Sequence, residues 1–142
     1  MKILIATDGS ELSRKAIQTG VALARALKGQ VLGVAAVPPN PYVALGDVQE
    51  PQLDDYRARA AAIGNEHLTV VEQIARAVGV PCETLICEEE APHRAILSAV
   101  AEAGCDLIVL ASHGRSSFAT VLLGSETQKV LALATVPVLV IR

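Results

Sequence analysis

The chain has no tryptophan and only three aromatic residues, Tyr42, Tyr56 and Phe118, in 142 positions. Three scattered rings cannot form the stacking platform on which proteins lay single-stranded nucleic acid. Basic residues are not in excess either. Twelve Lys and Arg stand against 15 Asp and Glu, for a net charge of −3, so the electrostatic footprint of a nucleic-acid binder is missing. No apolar run approaches the roughly 18 residues of a membrane span. The stretch Met1 to Ala6 gives way to Thr7, Asp8 and Gly9 before it reaches the length of a signal-peptide core. A cytoplasmic protein with neither nucleic acid nor membrane as partner is expected. Cysteine is scarce and odd in number: Cys82, Cys87 and Cys105 lack the close Cys and His pairs of a zinc site and read as reduced, inert core thiols. No metal site is expected. There is also no Walker A sequence, and no glycine triplet follows the first apolar run, which removes the P-loop and dinucleotide fingerprints.

Hydrophobic residues make up 51% of the chain and charged residues 19%, enough apolar surface to fold as one domain spanning residues 1–142. Apolar runs without alternation, as expected of strands buried on both faces, occur at Lys2 to Thr7, Gln30 to Val37, Cys82 to Cys87, Asp106 to Ala111 and Val138 to Arg142. Between them lie segments of helical periodicity. A first helix is expected after Ser10, an N-cap residue, with Ala16, Ile17, Gly20, Val21, Ala24 and Leu27 inward and Gly29 ending it. A long second helix runs from Gln52 to Val78 with Leu53, Tyr56, Ala60, Ile63, Val70, Val71, Ile74 and Val78 on one stripe, until Gly79. A third starts at Pro92, with Glu88 to Glu90 near its positive end and Ile96, Ala99, Val100 and Ala103 inward. A fourth covers Ser125 to Ala134. The stretch Pro38 to Pro51, with four prolines, is expected to be a lid or mobile loop without helix. Strands alternating with helices define an α/β fold, a doubly wound five-stranded parallel sheet with helices on both faces.

In such a sheet a ligand sits beyond the carboxyl ends of the strands, where the strand order reverses. Two turns meet that condition if strands one and four are neighbours: Thr7 to Ser10, and Ser112, His113, Gly114 and Arg115. Asp8 offers a carboxylate that can accept from a ribose hydroxyl or an adenine edge, and it suits a helix cap or tight turn equally well. Gly114 and Gly124 let backbone approach a ligand, and the amides of Ser125, Glu126 and Thr127 open a helix whose start favours an anion. The hydroxyls of Ser125 and Thr127 and the charge of Arg115 complete a possible triphosphate cradle. The same residues also read as a turn glycine, an N-cap and a solvated charge.

Three segments, KILIATDGS from Lys2, DLIVLASHGR from Asp106 and LLGSETQKVLALATVPVLVIR from Leu122, together resemble universal stress proteins. The resemblance spans the chain apart from a variable middle, roughly Pro38 to Gly79. It implies a Rossmann-like sheet of the adenine nucleotide alpha-hydrolase type. ATP-binding members carry a glycine, two residues, a glycine, nine residues, then glycine followed by Ser or Thr. Gly114, Gly124 and Ser125 match, and Ala111 replaces the first glycine. By this resemblance Ala6 and Thr7 line an adenine pocket, Asp8 contacts the nucleoside, and the backbone near Ala36 and Val37 meets the adenine edge. Ala111, Ser112, His113, Gly114 and Arg115 approach ribose and phosphates, and Gly124, Ser125, Glu126 and Thr127 the phosphate tail. The implied ligand is ATP, with Mg as its companion ion, and the implied assembly is a homodimer through the last strand. The implied function is a regulatory nucleotide switch of the stress response with slow or no hydrolysis. Two other readings stay open: an interaction module that has lost nucleotide, for which Ala111 speaks, and an adenylate-chemistry enzyme, which needs a histidine-rich signature near the first helix. His67, His93 and His113 all lie elsewhere in sequence. His113 reads as a ribose or backbone contact more readily than as a general base.

Overall fold

The computed structural model describes residues 1–40, 50–113 and 123–142, with the side chains of 50–52 outside that description. Five strands, β1 (Lys2–Ala6), β2 (Gln30–Val37), β3 (Cys82–Glu88), β4 (Leu107–Ala111) and β5 (Val138–Ile141), alternate with four helices, α1 (Glu11–Ala26), α2 (Glu50–Ala77), α3 (Pro92–Ala103) and α4 (Ser125–Leu133). All strand pairs are parallel, in the order β3-β2-β1-β4-β5. The chain winds outward from β1 to β3, then crosses back to β4 beside β1. The order therefore reverses between β1 and β4, and the doubly wound α/β sheet expected from the apolar runs is present.

The sheet is buried on both faces because its central strands, after the polar first residues Lys2 of β1 and Gln30 of β2, run through residues without charge or polar side chains. Ile3 and Ile5 pack with α1 and α2 around Ala16, Ile17, Val21, Val71 and Ala75. Leu4, Ile108 and Leu110 turn to the other face, against Ile96, Ala99, Val100 and Val130 of α3 and α4. Each fully buried Ile, Leu or Val contributes about 1.5–3 kcal/mol, so these two layers are the main stabilising mass of the fold. Close packing of α1 on the sheet needs Gly20: a methyl there would stand 2.6 Å from Ile5 Cδ1.

Several expectations change at the helix ends. Leu27 is 47% exposed, because α1 stops before it. The left-handed residue that follows is Lys28, with φ 50°, and not Gly29. Lys28 N bonds to Arg25 O and Gly29 N to Ala24 O, the paired bonds of a Schellman ending. Gly29 is needed for space, since a Cβ would stand 2.4 Å from Met1 O. On α2, Ile63 is 52% exposed, and the buried residues of its described part include Leu68, Val71 and Ala75. Gly64 lies inside that helix, where it allows Ile86 and Val37 to approach. Because α2 begins at Glu50, Pro51 is helical, at a position near the start where a missing N–H costs little. Pro41 and the rest of 41–49, the centre of the expected lid, lie outside the described residues. Among the described residues no helix is long and apolar enough to cross a membrane.

Candidate functional site

Strand β1 pairs with β4 as Ile3↔Leu107, Leu4↔Ile108 and Ile5↔Val109. Continuing that register brings the turn after Ala6 alongside the turn after Ala111. The two sequence-predicted segments therefore flank one crevice at the reversal point, where open α/β sheets hold ligands.

The first wall is a rigid turn. Thr7 N donates to Val34 O at 2.9 Å, which locks the end of β1 to β2. The buried Thr7 hydroxyl lies 3.1 Å from Ser13 Oγ and accepts from Gly9 N. Asp8 Oδ1 accepts from Ser10 N at 3.0 Å, an Asx turn. Ser10 caps α1 by accepting from Ser13 N. Thus Asp8 shapes the turn and Ser10 is the cap, as their residue types suggest, while Ser13 is a buried partner that the apolar pattern did not reveal. Gly9 has φ 76°, a left-handed conformation that disfavours side chains. A Cβ on Gly9 would stand 2.3 Å from His67 Nε2. His67 is distant in sequence from α1, yet the fold brings it to the entry of that helix.

The structure separates Ala36 from Val37. Val37 O accepts from Glu89 N at 3.0 Å, so its backbone faces β3. Val34 O faces β1, and backbone groups in a strand alternate sides. The amide and carbonyl of Ala36 therefore point past Ala6, the last β1 residue paired with β2, toward the crevice.

The second wall is built from β4 and α4. Ala111 pairs with Ile141 as the last residue of β4. The non-glycine residue with positive φ among those described is Lys28, so alanine at 111 carries no backbone strain. Ser112 is buried, its amide donating to Ile141 O at 2.7 Å, and its hydroxyl lies 3.1 Å from His113 Nδ1. Gly124 N donates to Ser112 O at 2.7 Å, which ties the start of α4 to the end of β4. Gly124 is the N-cap, with φ −67° and ψ 154°. These angles suit any residue, so its value is space: a Cβ would stand 3.3 Å from His113 Cα. The first helical bond of α4 runs from Gln128 N to Gly124 O, leaving the amides of Ser125, Glu126 and Thr127 outside the helix's own ladder. Gly114 and Arg115 lie outside the described residues.

Two side chains of the expected cradle are engaged elsewhere. Thr127 is buried and donates its hydroxyl to Ala111 O at 3.0 Å, and so is a brace rather than a phosphate donor. Glu126 reaches across to α3. Its Oε2 accepts from His93 N at 2.9 Å and lies 2.8 Å from His93 Nδ1, and its Oε1 accepts from Lys129 Nζ at 2.7 Å. Partial burial alone would raise its pKa, but the bonds from Lys129 and from the amide and ring of His93 outweigh it and hold the carboxyl at about 2. The residue before α3, Ala91, makes no side-chain cap bond, so Glu126 supplies the acceptor that α3 lacks. A helix opening with alanine and proline was the available hint that its cap comes from outside. Glu89, expected near the positive end of α3, accepts from Ala91 N at 3.4 Å. The three cysteines are free, and burial pushes each thiol up, away from the reactive thiolate.

The universal stress protein family description matches residues 1–142. This chain belongs to that family. It is 34% identical over 146 residues to universal stress protein YxiE of Bacillus subtilis, covering 99% of this chain and 98% of the relative. It is 33% identical over 140 residues to a Thermus aquaticus universal stress protein, covering 99% and 97%. Among solved structures, hypothetical protein MJ0577 superposes with a TM-score of 0.81 at 24% identity, covering 99% of this chain and 94% of that one. An Archaeoglobus fulgidus universal stress protein in complex with dAMP gives 0.74 at 20%, covering 100% and 98%. A universal stress protein in complex with cAMP gives 0.69 at 24%, covering 100% and 96%. These neighbours share the doubly wound fold.

Proposed function

We propose that this universal stress protein is a cytoplasmic, single-domain regulator that holds an adenine nucleotide, ATP with its Mg ion, in the crevice between β1 and β4. The observation that carries the reading is the bond from Gly124 N to Ser112 O, 2.7 Å, which ties the start of α4, with its unladdered amides, to the end of β4, the strand that pairs with β1. Adenine would lie against Ala6, Thr7 and the outward backbone of Ala36, which offers one donor and one acceptor as an adenine edge requires. Ribose would lie near Asp8, Ser112 and His113, and phosphates against the α4 amides with Gly114, Arg115 and Ser125. Ala111, unstrained in its strand, supports retention of the site. That the same fold carries dAMP in one neighbour and cAMP in another supports the ligand class.

The chemistry of the described residues favours holding over turnover. A general base needs a pKa near the working pH and an open lone pair. Glu126 is held at about 2 by its donors, and His93 is committed to Glu126. Hydrolysis is accordingly slow or absent. The open edge at β5 supports a homodimer in which that strand is covered.

The test is the melting temperature of the purified protein with millimolar Mg-ATP, AMP, GTP or cyclic AMP. A selective rise with an adenine nucleotide is expected. No rise with any of them would leave an interaction module as the reading of this fold, with Gly124 a packing residue only.

A further inference from the structure

Glu126 sits in the first turn of α4, among the amides assigned to phosphate, yet it is an acid, and a free carboxylate there would repel a polyanion. The fold resolves this conflict by drawing the side chain away. Its two oxygens are held by the amide and ring of His93 on α3 and by Lys129 one turn further along α4, all at 2.7 to 2.9 Å. His93 is 33 residues away in sequence and belongs to α3. The carboxylate thus ties the first turn of α4 to the first turn of α3, while Gly124 and Thr127 tie the same turn to β4 through Ser112 O and Ala111 O.

We infer that Glu126 is a positioning residue of the phosphate cradle: clamped by His93 and Lys129, it fixes the angle at which the α4 amides meet a polyphosphate. The inference rests on the nucleotide reading given above. A bond to a charged group that orders one turn of helix is worth roughly a factor of ten in affinity when removed. The loss falls on phosphate and spares the nucleoside, because the adenine contacts come from β1 and β2 and the ribose contacts from the β1–α1 turn and the end of β4, none of them on α4.

The experiment compares affinities for ATP and adenosine, by calorimetry, in the wild type, Glu126→Ala, Glu126→Gln and His93→Ala. In Glu126→Ala, ATP is expected to weaken about 10-fold with adenosine unchanged. Glu126→Gln keeps an acceptor for the His93 amide and stays within about 3-fold of wild type. His93→Ala leaves every crevice residue in place and still weakens ATP selectively, by about 3-fold. A purely structural role would weaken both ligands together, and a purely electrostatic one would make Glu126→Ala bind ATP more tightly. Either result overturns the inference while leaving the nucleotide reading intact. A wild type that binds neither ligand instead removes the nucleotide reading, and the positioning role with it.

Discussion

Replacing Gly124 by valine separates two roles of that glycine, because its backbone angles of φ −67° and ψ 154° are ones valine adopts readily. The added Cβ would lie 3.3 Å from His113 Cα and 3.5 Å from Ser112 O, so its neighbours must yield by a few tenths of an ångström, at a cost of about 1 kcal/mol. The bond from Gly124 N to Ser112 O belongs to the backbone and survives. On the ligand side the branched methyls occupy the space before the α4 amides, removing about two charge-assisted bonds, or about 3 kcal/mol, and weakening a phosphate ligand about 100-fold. ATP at about 100 times its wild-type dissociation constant stabilises by about 2.7 kcal/mol. For a chain of this length that raises Tm by about 8 °C. The same ATP concentration on the variant leaves about 0.4 kcal/mol, a rise of about 1 °C. Differential scanning fluorimetry with and without Mg-ATP measures both rises. A folded Gly124→Val protein with the full wild-type rise would refute the placement of phosphate at α4.

Other consequences test the parts around that cradle. Glu126 has its pKa lowered to about 2 in the native state, against 4.5 ordinarily. Its contribution is therefore complete above pH 4.5 and disappears as pH falls toward 2. With its side chain 34% exposed, about 1 kcal/mol is expected, read as the difference in urea midpoint between wild type and Glu126→Gln at pH 6, vanishing near pH 2. Gly9→Ala places a side chain at φ 76° and against His67, and should destabilise by about 2 kcal/mol. In a His67→Ala background about half of that should return, since the crowding is relieved and the backbone cost is not; full additivity in the double-mutant cycle would show that His67 simply swings away. Val140→Pro should convert the proposed dimer to a monomer in sedimentation at micromolar concentration, with little change in secondary structure by circular dichroism.

The fold was legible because its signal is long-range and redundant. Five apolar runs and four periodic segments agree on one α/β architecture, and strand bounds move by a residue or two at most. The crevice was legible for a related reason, since Asp8, Gly9, Ser10 and Gly124 mark turns whose backbone chemistry is local. What sequence did not reveal is contact made at a distance. His67 against Gly9 joins α2 to the β1–α1 turn, and His93 with Glu126 joins two helix starts 33 residues apart. Neither pair has a spacing that any local period would expose. The exposed Leu27 and Ile63 fail for a different reason: a helical stripe states which residues share a face, and not where the helix ends or how far it overhangs the sheet.

The two edges of the sheet are not equivalent, and the difference bears on assembly. At β3 the edge carries Glu83 and Glu88, paired with Lys2 and Arg57 respectively, and Pro81 stands just before it. Charges and proline are the usual devices that keep an edge from pairing with another chain. At β5 the sequence is VLVI, with no charge in the strand, and all four residues are only partly buried. Pro137 O and Ile141 O accept from Ile108 N and Ser112 N of the β4 side. By alternation the backbone groups of Val138 and Val140 face outward. An apolar strand with outward donors and acceptors and no guarding charge is the one edge of this sheet suited to receive a second copy. Proline at 140 removes an outward N–H without touching the β4 ladder, which is why the substitution tests assembly rather than folding.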